Sequence, residues 1–203
     1  MSRKLKPRGK IVRRFGVNIY EMPKYDQLLS KKSNPPGRAD AKRKKISNYG
    51  LQLLEKQKLK FAYEIGEKQF RNLYYRAKKM KGRTGDNILI LLESRLDNAV
   101  FRLGLAESRS QARQMVSHRH IVLNGKSVNV PSITLSPGDI IGLKRKDASI
   151  NMGREALLRR KGISCPWLDF DEDSLSGTMR SNPEPSWIKF PVDMQRVVEY
   201  YAR

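Results

Sequence analysis

The chain has one cysteine, Cys165, in 203 residues. A single thiol excludes an internal disulfide and any zinc site built from cysteines alone. It sits in Ser164-Cys165-Pro166-Trp167 and reads as a packed, inert thiol. Histidine is nearly as scarce, with only His118 and His120. Long apolar runs are missing: Ile88 to Leu92 is the longest, far short of the roughly 20 residues a membrane span needs. The N-terminus is basic but has no apolar segment behind it, so a secretory signal is not expected. A soluble, reducing, cytoplasmic setting is expected, and an organelle of similar chemistry is not excluded.

Acidic residues are also in short supply. Lys and Arg number 42 against 20 Asp and Glu, for a formal net charge of +22. The excess is lopsided. Residues 1–60 carry 18 basic and 4 acidic side chains, and residues 61–150 carry 16 and 8. Residues 151–203 balance at 8 and 8. Solubility needs a net charge of only about 2–8 on a small domain. A larger excess repels itself and favours a polyanionic partner, whose released counterions add affinity that falls steeply with salt. The charge alone therefore points to a polyanionic partner; neither a membrane nor a small-molecule substrate is expected.

Residues 1–45 read as irregular, with a turn signal at Ser33-Asn34-Pro35-Pro36-Gly37 and a cationic run at Lys42-Arg43-Lys44-Lys45. Good helix formers then fill Leu51 to Phe61. From Glu67, the residues Phe70, Leu73, Tyr74 and Ala77 recur at helical spacing and predict one buried stripe. Arg71, Arg76, Lys78, Lys79 and Lys81 fall largely outside it. The segment Lys81 to Asn87 breaks the pattern, and Thr84 or Asp86 is suited to cap a following helix. That helix is predicted from about Asn87 to Leu103, with Gly104 ending it. Ser108 with Gln111 reads as a capping box for another short helix, whose N-terminus would favour a phosphate. Asn124-Gly125, between Ile121-Val122-Leu123 and Val128-Asn129-Val130, is a hairpin signal. Ile140 to Leu143 is a further strand, and Asp193 to Ala202 a terminal helix that docks on the protein itself.

Two short helices cannot bury their apolar faces alone, so the hairpin between them and Pro131 must cover them. The uncovered face is then expected to carry Arg95, Arg102, Arg109, Arg113 and Arg119. Guanidinium forks suit phosphates and stack on splayed bases. This helix–helix–hairpin, from Leu92 to Pro131, resembles the RNA-binding domain named after the small-subunit ribosomal protein S-four. Three flanking segments resemble the bacterial form of the ribosomal protein itself: Lys45 to Lys58, Gln69-Phe70-Arg71-Asn72, and Gly82-Arg83-Thr84-Gly85-Asp86-Asn87. Ser181-Asn182-Pro183-Glu184-Pro185 extends the likeness to the tail. With no cysteine before Cys165 the chain resembles the zinc-free form, and neither a metal nor another cofactor is expected.

The resemblance implies an α+β, predominantly helical fold: a helical first domain plus a domain of two helices on a small twisted antiparallel sheet. The expected boundaries are 1–44 for a basic arm, 45–91 for domain one, 92–155 for the S-four-type domain, and 156–203 for a neutral segment. That last segment is expected to pack back on domain one, which helix 193–203 completes. The resemblance further implies a non-catalytic binder of small-subunit rRNA at a multi-helix junction of the 5′ domain, active in subunit assembly and decoding accuracy. In the first domain the implied rRNA contacts are Ser47, Tyr49, Lys56 and Lys58, then Arg71, Arg76, Lys78, Lys81, Arg83 and Thr84. In the second they are Arg95, Asn98, Arg102, Arg109, Arg113, Gln114, His118 and Arg119. Lys42, Arg43 and Lys45 are implied at the mRNA entry channel. Ribosomal protein S-five is the implied neighbour, with S-three a further candidate.

Rival readings rest on weaker patterns. Arg95-Leu96-Asp97 resembles the catalytic tripeptide of pseudouridine synthases, but no large mixed sheet follows to receive a flipped base. Asp97 is therefore expected to orient a neighbouring arginine or to contact the backbone. His118 and His120 lack a carboxylate or thiol at ligand spacing. Asp169, Asp171, Glu172 and Asp173 lack the spacing of a calcium loop and read as a solvated acidic turn or a patch facing a basic neighbour protein. Lys81 to Asn87 lacks the Gly-Lys-Ser/Thr of a phosphate loop. A free-standing RNA chaperone would not need the flanking segments, and no helix-turn-helix dimer pattern or zinc finger supports DNA binding.

Overall fold

A computed structural model of the chain describes residues 7–37, 46–159 and 165–202. Among these the helices are, in chain order, α1 (Arg8–Phe15), α2 (Pro23–Lys31), α3 (Asn48–Ala62), α4 (Glu67–Lys79), α5 (Thr84–Glu93), α6 (Leu96–Arg102), α7 (Arg109–Ser117), α8 (Asp147–Arg159) and α9 (Met194–Ala202). The strands are β1 (Ile121–Leu123), β2 (Lys126–Ser127), β3 (Ile140–Leu143), β4 (Leu168–Asp171) and β5 (Ser176–Met179). The fold is α+β and mainly helical. It divides into two compact units, one within residues 1–70 and 190–203 and the other within 71–189. No helix among the described residues is long and apolar enough to cross a membrane.

In the first unit, α3 and α9 are packed partners. Leu59, Ala62 and Val197 are fully buried, and the ring of Phe70 stacks on Tyr201 at 5.8 Å. Ser47 Oγ accepts from the Gly50 amide, which starts α3. Glu55 accepts from the Asp193 amide just ahead of α9. The N-terminal region departs from expectation, because α1 and α2 occupy part of the segment read as irregular. Their boundary signals are local: Pro23 opens α2, and Gly16 closes α1 in a left-handed conformation. The apolar period is too sparse to betray them, since only Ile11, Val12 and Tyr25 are buried within the two helices.

The second unit holds an antiparallel sheet of order β2-β1-β3-β5-β4. Asn124 and Gly125 both take positive φ between β1 and β2, as the two-residue hairpin requires. Helices α6 and α7 lie against this sheet around a core that includes Leu96, Val100, Phe101, Met115, Val116, Ile121 and Ile141. Gly104 follows α6 with φ 80°; a Cβ there would stand 3.1 Å from Leu157.

Four expectations change here. The helix read as Asn87 to Leu103 is two helices, broken at Ser94 and Arg95. There the chain pairs instead with the loop after β2: Leu135 N donates to Ser94 O at 2.8 Å and Leu96 N donates to Ile133 O at 2.9 Å. Second, the return strand expected at Val128 to Val130 is confined to Lys126 and Ser127. Third, α8 is a helix that the apolar pattern does not single out. Fourth, residues 168–179 do not join the first unit. They form a β4–β5 hairpin whose β5 pairs with β3, Ile141 opposite Gly177. Only the chain from Phe190 onward belongs to the first unit.

Candidate nucleic-acid interface

The surface of the second unit is organised by two buried carboxylates. Asp97, in the first turn of α6, takes Arg95 in a two-pronged pair at 2.9 and 2.7 Å. The same carboxylate accepts Arg113 Nη2 from α7 at 2.6 Å. Glu93, at the end of α5, takes Arg102 at 2.9 and 2.7 Å and the Asn98 amide at 2.6 Å. Asn98 Oδ1 then accepts Arg109 Nε at 2.8 Å, and the Arg109 guanidinium lies 4.3 Å from the centroid of Phe101. Three guanidiniums thus pair with two carboxylates and a fourth is held by the Asn98 amide oxygen, so the assembly keeps a positive balance. Such charge-assisted, forked pairs hold arginines in one orientation.

The structure therefore revises the expected arginine face. Arg95 and Arg109 are only 8% and 6% exposed, and Asn98 is buried with them. Burial and pairing make these three builders of the surface rather than the surface itself. Arg102 is half-buried against Glu93. Arg113 is more open, and Gln114, His118 and Arg119 are exposed beyond it. Arg119 adopts φ 62°, while its amide and the next close the end of α7 on Val116 O and Met115 O. A left-handed arginine is costly. His118 stacks on His120 at 6.4 Å, and His120 Nδ1 pairs with Ser149 Oγ. Among the described residues no group of His, Cys, Asp and Glu is arranged to hold a metal ion.

The start of α7 is capped from within. Ser108 Oγ accepts from Gln111 N, and Gln111 Oε1 accepts from Glu107 N at 2.8 Å. Half of the expected capping box forms, since Gln111 reaches the Glu107 amide rather than that of Ser108, and the Gln111 amide that Ser108 caps is a donor a phosphate would have used.

Along α4 and the following turn, Phe70, Tyr74 and Ala77 are buried, while Arg71, Arg76, Lys78, Lys81 and Arg83 are exposed. The turn is held by Asn87, whose side-chain amide donates to the carbonyls of Ala77, Met80 and Lys81. Thr84 is the first residue of α5, and neither it nor Asp86 caps that helix. Arg83 stands at the cap position without a side-chain bond.

In the first unit Tyr49 is exposed and packs beside Tyr200 at 5.7 Å. Lys56 is not a surface cation. It is 2% exposed, pairs with Glu67 at 2.6 Å and lies over the Tyr200 ring at 4.7 Å. Lys58 pairs with Glu55 at 2.6 Å. Partial burial works against the charge on Glu67, but hydrogen bonds and charge from Lys56 and Lys60 outweigh it and hold the carboxyl at about 2. Lys42, Arg43 and Lys45 lie outside the described residues.

Sequence reasoning misses Glu93 and Asn87. Glu93 had a signal: an acid among the apolar residues of α5, with Arg102 nine positions on. Asn87 had only the break in pattern around it.

The sequence has relatives among known proteins. The model of the ribosomal protein S4/S9 N-terminal domain matches residues 3–93, and the S4 domain model matches residues 94–141. A Treponema denticola protein named small ribosomal subunit protein uS4 is 50% identical over 199 residues, 97% of both chains. The chain belongs to the ribosomal protein S4 family. Its likeness to S4-family proteins extends to a Borrelia recurrentis relative of the same name, 46% identical over 206 residues, covering 100% of this chain and 99% of its own. A Porphyromonas gingivalis relative, also so named, is 45% identical over 204 residues, 100% of both chains. The S4 family is structural and non-enzymatic. Asp97 agrees with that: it is buried beneath two arginines, orienting them as its sequence context predicts.

Proposed function

We propose that this protein is a structural constituent of the small ribosomal subunit that binds small-subunit rRNA at a multi-helix junction of the 5′ domain. The observation that carries the reading is near full-length likeness to relatives named as small-subunit proteins. The positive balance around Asp97 and Glu93 and the exposed cations of α4 agree with it. The mechanism is positioning. Exposed cations and Arg113 contact phosphates and 2′-OH groups, and the buried carboxylates keep the guanidiniums oriented. Early binding of this kind would nucleate folding of the subunit body. In the finished subunit the protein would lie beside ribosomal protein S-five, with S-three as a further neighbour, in the cytoplasm. Lys42, Arg43 and Lys45 would line the mRNA entry channel, and the chain would contribute to decoding accuracy.

The test is a filter-binding titration of purified protein against a 5′-domain rRNA transcript, with an unrelated structured RNA as competitor. The expected result is preference for the rRNA and steep loss of affinity with salt. Equal affinity for both RNAs would remove the rRNA assignment. For the entry channel, a triple alanine variant at 42, 43 and 45 should assemble normally but translate structured mRNA poorly; the reverse pattern would remove that part.

A further inference from the structure

We propose that Tyr75, on the outer face of α4, is a stacking platform for an unpaired base of the bound RNA. This rests on the rRNA reading above and names a contact that reading does not contain. Tyr75 is 46% exposed, although its neighbours Tyr74 and Ala77 are buried. Their burial fixes the rotation of α4 and so directs residue 75 outward. The ring is also held. The Arg71 guanidinium lies 5.7 Å from its centroid, one helical turn back, and Tyr74 meets it edge-on at 5.6 Å and 68°. Fixed in this way, the ring loses little further freedom when a base arrives.

Its surroundings favour RNA over an apolar partner. Arg71, Arg76, Lys78, Lys79 and Lys81 are all exposed, and no acidic residue lies between 71 and 81. An apolar protein surface would have to desolvate these charges. A nucleotide instead offers its base to the ring and its phosphate to the cations. Aromatic rings among cations bind single-stranded bases through this pairing, without sequence preference. Arg71 takes one face of the ring, and the base takes exposed area that remains.

The test uses the full chain and the 5′-domain rRNA transcript, with affinity measured across a salt series. Tyr75→Ala should bind roughly 5- to 100-fold more weakly, the loss expected for one stacked base. Its salt slope should stay as in the unaltered protein, because no phosphate contact is lost. Tyr75→Phe should stay within about twofold of the unaltered protein, since stacking needs the ring and not the hydroxyl. Arg71→Ala should flatten the slope. Since residue 75 is exposed, urea unfolding of the variants should match that of the unaltered chain. If Tyr75→Ala binds as tightly as the unaltered protein, the platform is wrong while the rRNA reading stands. If Tyr75→Phe falls as far as Tyr75→Ala, the contact is a hydrogen bond and the platform is again wrong. If the unaltered chain shows no preference for the rRNA, the rRNA reading falls and the platform with it.

Discussion

Arg113 and Asp97 meet across α6 and α7, with Arg113 Nη2 donating to Asp97 Oδ2 at 2.6 Å. The same carboxylate carries Arg95, which is buried. The two arginines therefore differ in what their loss should do. Asp97→Asn leaves Arg95 buried without its counter-charge and should cost about 3–5 kcal/mol of stability in the second unit, the range for a broken buried pair. Arg113→Ala leaves the Arg95–Asp97 pair intact. It should cost little stability but weaken rRNA binding and reduce the salt slope by about 1. Urea unfolding and a salt-titrated binding assay separate the two effects. Equal destabilisation by both substitutions would remove the distinction drawn between builder and contact.

Arg119 gives a case where stability and binding should move in opposite directions. Its left-handed backbone costs about 1–2 kcal/mol relative to a right-handed residue. Glycine removes that cost but adds back roughly 0.5–1 kcal/mol of chain entropy. Arg119→Gly should therefore stabilise the second unit by up to about 1.5 kcal/mol while weakening rRNA binding. A variant that gains no stability would show that the left-handed backbone costs the arginine little, and one that binds unchanged would show that the exposed guanidinium does no work for RNA.

How far the sequence alone reaches can be judged from such residues. Periodicity finds α4 and α7 because their buried faces repeat: Phe70, Tyr74 and Ala77, then Ala112, Met115 and Val116. Asn124-Gly125 marks its hairpin because the turn type demands those residues. The break at Ser94 is invisible, since its cause is a hydrogen bond to Leu135, forty-one residues away. The β4–β5 hairpin is hidden for a similar reason, because its partner β3 is remote and its strands alternate weakly. For the interface, the choice of arginines is legible but their exposure is not. An arginine at an outward-looking helical position turns inward when a buried acid such as Glu93 awaits it, and one-dimensional spacing carries no sign of that acid's burial.

Glu67 links α4 to Lys56 and Lys60. Its folded carboxyl titrates at about 2, below the unfolded value near 4.3. A depressed pKa means the unfolded state binds the proton first as pH falls. The stability from Glu67 is thus fully present above about pH 5 and is lost as pH falls through the folded value. Comparing unaltered protein with Glu67→Gln by urea unfolding should give a constant gap at neutral pH that closes between about pH 4.5 and 2. Because the Glu67 side chain is 48% exposed, the gap should be modest and shrink with added salt. A gap that is independent of pH would mean that the pair contributes no stability through its charge.

Asn87 closes the turn between α4 and α5 by donating to three carbonyls, two of them after the last helical residue of α4. Ala77 O also accepts from Met80 N, while the carbonyls of Met80 and Lys81 have no later helical N–H to accept from, so the amide ties the helix end to the turn. Asn87→Ala should remove these bonds, leave Ala77 O with only the Met80 N–H, and cost about 0.5–1.5 kcal/mol. Asn87→Asp should be worse, since it sets an anion against the same carbonyl oxygens. The turn also carries Lys81 and Arg83 on its exposed side, so loosening it should lower rRNA affinity without removing any cation. That combination distinguishes positioning from charge. Asn87→Ala should weaken binding while leaving the salt slope near that of the unaltered protein, whereas Lys81→Ala should lower both. Binding by Asn87→Ala equal to that of the unaltered chain, despite measured destabilisation, would mean that the turn's geometry does not matter to the RNA.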